Sequence, residues 1–353
     1  MYLKITDCES ALAQLAQFDT VIDTRSPSEF AADRLPGAIN CPVLTDTERA
    51  QIGTIYQHGS PFEARRAGAA LVAANIAVHL RSALRGRPRA WTPLVYCWRG
   101  GERSASMVHV MERVGWRAHQ LEGGYRAFRR AVVEALPALP ARLAFRVLCG
   151  ATGSGKSRLL AHLERAGAQV LDLERIAAHR GSVLGALPGS RQPSQKQFET
   201  RLWWALRRFD PGRPVFVESE SRKIGDRQLP DAMLEALRGA DCVSLDLPLD
   251  QRIRLLRDEY RHFEGAPNRL CEQLDCLIAM HGAATVGRWK ALALGAEWDT
   301  LVDSLLRDHY DPVYQRSLRS NYRRAGDAVT VNVASAEPWA FDLAAQRLAT
   351  APV

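Results

Sequence analysis

The sequence predicts two α/β domains joined in one chain of 353 residues. Two observations carry that expectation. Short apolar runs alternate with helix-like stretches, stop at a segment holding two prolines (ALPALPAR, residues 135–142), and then resume in the same alternation. Beyond that segment, a glycine-rich run ending in Lys-Ser follows one of the apolar stretches at once. Strand–helix alternation argues parallel sheets with covering helices, and the length suffices for two ordinary cores. Residues 1–134 are therefore assigned to the first domain, 135–142 to a linker, and 143–353 to a second domain with a helical C-terminal part.

In chain order, TVIDTR, AINCPV, PLVYC and RAHQLEG are strand candidates, while SPSEFAADR and GERSASMVHVMERVG read as helices. Residues 45–90 are largely helical in pattern and separate AINCPV from PLVYC. A long insertion at that point either covers the loop that follows or forms a peripheral helix pair that only adds core. After the linker, LAFRVLCG, AQVLDLE, PVFVESE, DCVSLDL and VTVNVA are the strand candidates, with SRLLAHLERAG as the first helix.

Composition narrows the function classes. Apolar residues make up 46% and charged residues 24%, as in a soluble globular protein. The longest apolar patch, near residue 70, is too short to span a bilayer, and the start lacks a signal or transit pattern. The expected location is the cytoplasm, with no membrane partner. The seven cysteines are scattered and are expected as thiols. Cys271 and Cys276 stand C-x4-C without a second pair, so no zinc site is expected. The nine histidines form no H-E-x-x-H, and no tightly bound cofactor is expected.

A net charge of +8 favours an anionic partner. The excess is spread, with 17 basic against 13 acidic residues in 1–140 and 30 against 26 in the rest. Local clusters are RGRPR at 85–89, RAFRR at 126–130, RIRLLRDEYR at 252–261 and RSLRSNYRR at 316–324. In the last, Arg316, Arg319 and Arg323 are expected to share a helical face, with Tyr314 and Tyr322 near enough for base stacking. Several such clusters point to RNA.

VYCWRGGERS, residues 95–104, places Cys97 at the end of an apolar strand and ahead of a glycine turn into a helix. Backbone N–H groups and the helix N-terminus would then face the sulfur and stabilise negative charge on it. Gly100 and Gly101 let the backbone close in, Arg99 and Arg103 add positive charge, and Trp98, Glu102 and Ser104 complete the loop. Such a cradle suits a thiolate that takes up sulfur or selenium, or attacks phosphorus. On VIDTRSPSEF, DRLPGAINCP, VYCWRGGERSA and LEGGYRAF, the N-terminal domain resembles the rhodanese family, which carries sulfur on a loop cysteine. Common rhodaneses run C-x4-R-S, whereas Cys97 to Arg103 is C-x5-R. The longer loop, similar to that of rhodanese-related phosphatases, implies a donor that is a phosphate derivative rather than thiosulfate.

The second run, Gly150, Ala151, Thr152, Gly153, Ser154, Gly155, Lys156 and Ser157, satisfies G-x-x-x-x-G-K-[ST] between a strand and a helix. Backbone N–H groups would cradle an anion, Lys156 would reach a terminal or leaving phosphate, and Ser157 could hold Mg²⁺. Glu218 and Glu220 stand in PVFVESES, where an ATPase places a metal-orienting aspartate. No adenine pocket or kinase lid is evident, and no D-D-x-x-D run is present to hold a diphosphate through Mg²⁺. Phe198, Leu202, Trp203, Trp204, Ala205, Leu206 and Phe209 either line a prenyl pocket or form ordinary core.

The lengthened cysteine loop, the linker and the phosphate loop, with SPFEARRAGAALVAANI, LDLERIAAHRGSVLG and VESESRKIG, together resemble the tRNA 2-selenouridine synthase family. The resemblance implies a transferase acting on 2-thiouridine at the tRNA wobble position. It implies S-geranylation from geranyl diphosphate, then selenation from selenophosphate, with the anticodon arm bound on a basic surface. It also implies transient contact with an enzyme that makes selenophosphate. From the residues alone two other readings stand. One is a rhodanese-like phosphatase or sulfurtransferase fused to an ATP-using kinase or NTPase domain. The other is a non-catalytic tRNA-binding or sulfur-relay module.

Overall fold

The computed structural model describes residues 4–350. The chain forms two compact units, Met1–Leu136 with Ser194–Trp204, and Pro137–Pro193 with Ala205–Val353.

The first unit is built on five strands: β1 (Lys4–Thr6), β2 (Thr20–Asp23), β3 (Ile39–Asn40), β4 (Pro93–Tyr96) and β5 (His119–Leu121). They pair in parallel in the order β1-β5-β4-β2-β3. All of β4 is buried, as expected of a central parallel strand covered on both faces. Ile22 and Val95 meet Met107, Val108 and Met111 of helix Glu102–Val114 in one core. The inserted segment forms helices Asp46–His58 and Pro61–Arg81, the first started by a Thr45/Glu48 capping box. Ile76 of the second helix is 3% exposed and joins that same core, so the insertion contributes packing. It also reaches the cysteine loop, because Arg49 pairs with Glu29, the residue that holds Arg103.

Residues 194–204 join this first unit although they lie far beyond the proline-containing segment. Thr200 donates to Asp33 at 3.0 Å, Glu199 pairs with Arg129, and Trp203 packs edge-on to Phe128 at 5.7 Å. Phe198, Leu202, Trp203 and Leu206 are no more than 3% exposed. Of the two roles open to this helix, Gln195–Leu206, the structure gives it core packing.

The second unit carries β6 (Phe145–Cys149), β7 (Gln169–Leu171), β8 (Val215–Glu218), the short antiparallel pair β9 (Lys223–Ile224) and β10 (Arg227–Gln228), β11 (Asp241–Asp246) and β12 (Val329–Asn332). Its main sheet is parallel in the order β12-β11-β6-β8-β7. The chain switches direction across the sheet beside β6, and the carboxyl end of such a switch strand is where α/β sheets bind ligands. Between β11 and β12 lies a helical region with its own core, including Leu270, Leu274, Trp289, Leu301 and Leu305. Among the described residues no helix is long and apolar enough to cross a membrane.

Candidate functional site

Each unit ends a central strand in a glycine-bearing loop that runs into a helix. In the first, Cys97 leaves β4 and is 3% exposed. The Gly101 N–H and the Ser104 hydroxyl each donate to its Sγ at 3.2 Å. Gln120 of β5 braces the turn from beneath, donating to the Gly100 carbonyl at 2.7 Å and to Ser104 Oγ at 2.9 Å. Glycine is required at two contact points. Gly100 has φ +67, and a Cβ at Gly124, φ +55, would lie 2.3 Å from the Cys97 carbonyl oxygen. The Gly123-Gly124 turn can therefore lie on the loop, and the Tyr125 and Arg126 N–H groups bind the Cys97 and Trp98 carbonyls at 2.8 and 3.0 Å.

The remaining loop residues are placed as follows. Gly101 is the N-cap of helix Glu102–Val114, so the dipole of that helix begins at the sulfur. Arg103 donates to Glu29 at 2.9 Å, and this pairing holds the Glu29 carboxyl below its usual range against the effect of burial. Arg99 and Glu102 are exposed. Trp98 is also exposed, and its ring lies 5.2 Å from that of Tyr125. Behind them Arg25 forms a fully buried pair with Asp23 at 2.6 Å and lies over the Tyr125 ring, 4.0 Å from its centroid. The loop rests on a buried, paired floor.

In the second unit β6 runs into Gly150–Ser157, and helix Lys156–Arg165 follows. Gly153 and Gly155 have φ of +77 and +86; a Cβ on the first would strike Leu256 at 2.7 Å, on the second Phe341 at 2.6 Å. Lys156 Nζ donates to the Gly150 carbonyl at 2.7 Å and lies 5.3 Å from the Tyr314 ring centroid. Burial pushes its ammonium below the usual range, against the pull of Glu174 and Glu220. Ser154 Oγ is buried inside the loop without a hydrogen-bond partner among the described residues. Such an orphaned hydroxyl in a glycine loop at a helix start fits an anion. Arg252 holds the outer edge, donating to the Thr152 carbonyl at 2.7 and 2.9 Å and to Asp311 at 2.6 Å.

Carboxylates gather beside Lys156. Ser157 donates to Glu174 at 2.8 Å, and the Glu174 N–H donates to Glu218 at 2.7 Å. Glu218 Oε2 is buried and unpartnered among the described residues. Burial, then the neighbouring carboxylates Asp172, Glu174 and Glu220, push Glu218 well above its ordinary range. Glu220 is pushed up to about 8, first by burial and then by Glu174. Below about pH 4 both folded and unfolded chains hold this proton, but between there and pH 8 only the folded chain does. The ionised form above pH 8 therefore destabilises the fold. Glu220→Gln should leave Tm little changed at pH 4 and raise it by a few degrees at pH 9, read by thermal melts across that range. Equal shifts at both ends would mean that the ionisation of Glu220 is not the cause.

The basic helix differs from its expected form. Helix Asp311–Asn321 carries exposed Arg316 and Arg319, but it ends before Arg323. Asn321 turns its side chain back to the Ser317 carbonyl, and Tyr322 enters the core, donating to the Glu220 carbonyl at 2.9 Å. Arg323 then pairs with Glu235, off the shared face. The two tyrosines are not stacking surfaces either. Tyr314 Oη accepts from the Gly150 N–H at 2.6 Å and helps build the phosphate loop. Tyr314, Arg252 and Glu174 are the site residues that sequence reasoning missed. Only Glu174 carried a signal for this role, as the last residue of the strand candidate AQVLDLE.

A thiol cradle and a phosphate loop on separate parallel sheets define a rhodanese-like domain fused to a P-loop domain. Consistently, the rhodanese-like domain family matches residues 7–131 and the tRNA 2-selenouridine synthase AAA domain family matches residues 143–272. A tRNA 2-selenouridine synthase from Cupriavidus necator is 34% identical over 88% of this chain and 92% of its own length. One from Hahella chejuensis is 31% identical over 92% of this chain and 93% of its own. One from Aeromonas salmonicida is 36% identical over 69% of this chain, an alignment covering 65% of that relative's length. The chain belongs to the tRNA 2-selenouridine synthase family.

Proposed function

We propose that the chain is a transferase converting wobble 2-thiouridine of tRNA to 2-selenouridine in two stages, through an S-geranyl intermediate. The presence of two separate anion loops, one holding a thiol and one holding a lysine, carries this reading, together with family membership. In the first stage the thiocarbonyl sulfur attacks the allylic carbon of geranyl diphosphate. The C–O bond breaks, diphosphate leaves with the electron pair, and N3 loses its proton. The Gly150–Ser157 backbone and Lys156 stabilise the departing charge. In the second stage selenide-level selenium from selenophosphate adds to C2, the C–S bond breaks, and the geranylthio group leaves with the electron pair and is protonated to geranylthiol. The Cys97 cradle binds the donor, and its thiolate assists the transfer by attacking phosphorus: the P–Se bond breaks toward selenium, and water then frees the phosphoryl group from sulfur as phosphate.

The loop fits a magnesium ion. Ser157 offers a hydroxyl beside Glu174, and the buried carboxylate of Glu218 gives the charge a reason to be there. Among the described residues no group of three or more acidic, histidine or cysteine side chains could hold a metal ion unaided. Water and diphosphate oxygens would complete the shell, as is usual for Mg²⁺. The ion would add Lewis-acid stabilisation of the leaving diphosphate.

The anticodon arm is assigned to basic surface that includes Arg316 and Arg319, and exposed Trp98 beside Cys97 offers a stacking face for a flipped base. On this reading the protein works in the cytoplasm, with tRNA as partner and a selenophosphate-producing enzyme as a transient one. Arg316→Ala and Arg319→Ala should each lower the salt slope of tRNA binding by about one unit, for all tRNAs alike. Arg323→Ala, already paired to Glu235, should change it less. Filter binding across a salt series checks this, and unchanged slopes would move the RNA surface elsewhere. Nucleoside mass spectrometry of 2-thiouridine tRNA incubated with geranyl diphosphate and selenophosphate tests the whole reading. Hydrolysis of ATP or an aryl phosphate, with tRNA unmodified, would favour the phosphatase–kinase alternative.

A further inference from the structure

The second unit contains an apolar pocket of about 80 Å³ whose wall includes Thr152 of the phosphate loop. Leu256, Tyr260, Phe263, Leu301 and Leu305 supply much of the lining. Loop and pocket share a boundary at atomic contact, since a Cβ on Gly153 would lie 2.7 Å from Leu256 Cδ1. Arg252 ties the two together, because its helix, Leu249–Glu259, carries Leu256 and its guanidinium holds the Thr152 carbonyl. The charged rim is already paired: Arg257 holds Glu264 at 3.0 Å and Asp299 at 3.1 Å.

A ligand bound across this boundary has an anionic head and a hydrocarbon body. With about 10–15 Å³ needed for one water-sized group, such a space takes roughly five to eight of them, most of a ten-carbon chain. An adenine here would lose water from its ring nitrogens and amino group against walls that are nearly all carbon, at a cost. A hydrocarbon meets no such penalty. We propose that this pocket takes the hydrocarbon tail of an allylic diphosphate of geranyl length whose diphosphate lies on Gly150–Ser157. The proposal rests on the first stage described above and assigns its tail-binding residues.

Titration calorimetry on the full-length protein with inorganic diphosphate, dimethylallyl diphosphate, geranyl diphosphate and ATP tests it. Each buried methylene adds about fourfold in affinity, about 0.8 kcal/mol, so with its five further carbons buried geranyl diphosphate should bind on the order of a thousandfold tighter than the dimethylallyl compound. Val302 lines the pocket and is partly exposed, so Val302→Trp fills space without entering the packed core. This variant should weaken geranyl diphosphate tenfold or more and leave inorganic and dimethylallyl diphosphate unchanged. Val302→Asp should act likewise, by placing a carboxylate against the tail. Affinity independent of chain length, equal weakening of all ligands, or selective loss of ATP binding would each overturn the assignment. If wild-type protein shows the chain-length preference but never alkylates tRNA, the pocket stands and the first stage fails. If it geranylates tRNA and both variants keep the full preference, the pocket fails and the first stage stands.

Discussion

Lys156→Ala is expected to leave 2-thiouridine in tRNA untouched, with both S-geranyl and selenium products falling by a factor of about a hundred to a thousand. Alanine removes the cation that the strand–loop–helix geometry delivers to the anion cradle, where burial already strains the ammonium toward its neutral form. A diphosphate bound in the loop returns favourable charge to that position, so the lysine is worth most when the leaving group carries most charge. Nothing in the Cys97 cradle depends on it, because Gly101, Ser104 and Gln120 make that cradle within the other unit. The variant should therefore still accept selenium on tRNA supplied already S-geranylated. Nucleoside mass spectrometry on both tRNA substrates gives the answer. Normal geranylation by Lys156→Ala would detach the phosphate loop from alkyl transfer and make ATP its better ligand.

How much of this was legible in the sequence depended on whether the signal was local. Strands such as FRVLC and VFVE are apolar runs bounded by glycine, proline or charge, and a buried parallel strand can hardly be written otherwise. Both loops were readable for the same reason, since each is one strand end, one glycine turn and one helix start. Contacts that join distant segments left no such trace. Tyr314 meets Gly150 across 164 positions, and Thr200 meets Asp33 across 167. Helical spacing predicts Arg316, Arg319 and Arg323 on one face only if the helix continues, and burial of Tyr322 stopped it first. The apolar pocket was illegible because its walls come from Thr152, Ser182, Leu184 and several helices between residues 256 and 310. Along each helix those leucines and aromatics keep the spacing of ordinary core, so nothing local tells a wall from a filling.

Cys97→Ser is expected to separate the two stages in the opposite sense, accumulating S-geranyl-2-thiouridine and making on the order of a hundredfold less selenouridine or none. Serine keeps the size of the side chain, and the donors from Gly101 and Ser104, each 3.2 Å from sulfur, would still face its oxygen. What it loses is the thiolate, since a hydroxyl stays protonated near neutral pH and is a far weaker nucleophile. The cradle should therefore bind selenophosphate with little change while the step that needs sulfur stops. Lys156 and the loop around it belong to the other unit, so alkyl transfer should proceed at its normal rate. Incubating Cys97→Ser with 2-thiouridine tRNA, geranyl diphosphate and selenophosphate, then quantifying each nucleoside by mass, distinguishes the outcomes. Loss of geranylation in a variant that melts like the wild type would mean that both reactions share one site. Normal selenouridine formation would show that Cys97 neither carries selenium nor assists its transfer, leaving the cradle as a binding site for the donor alone.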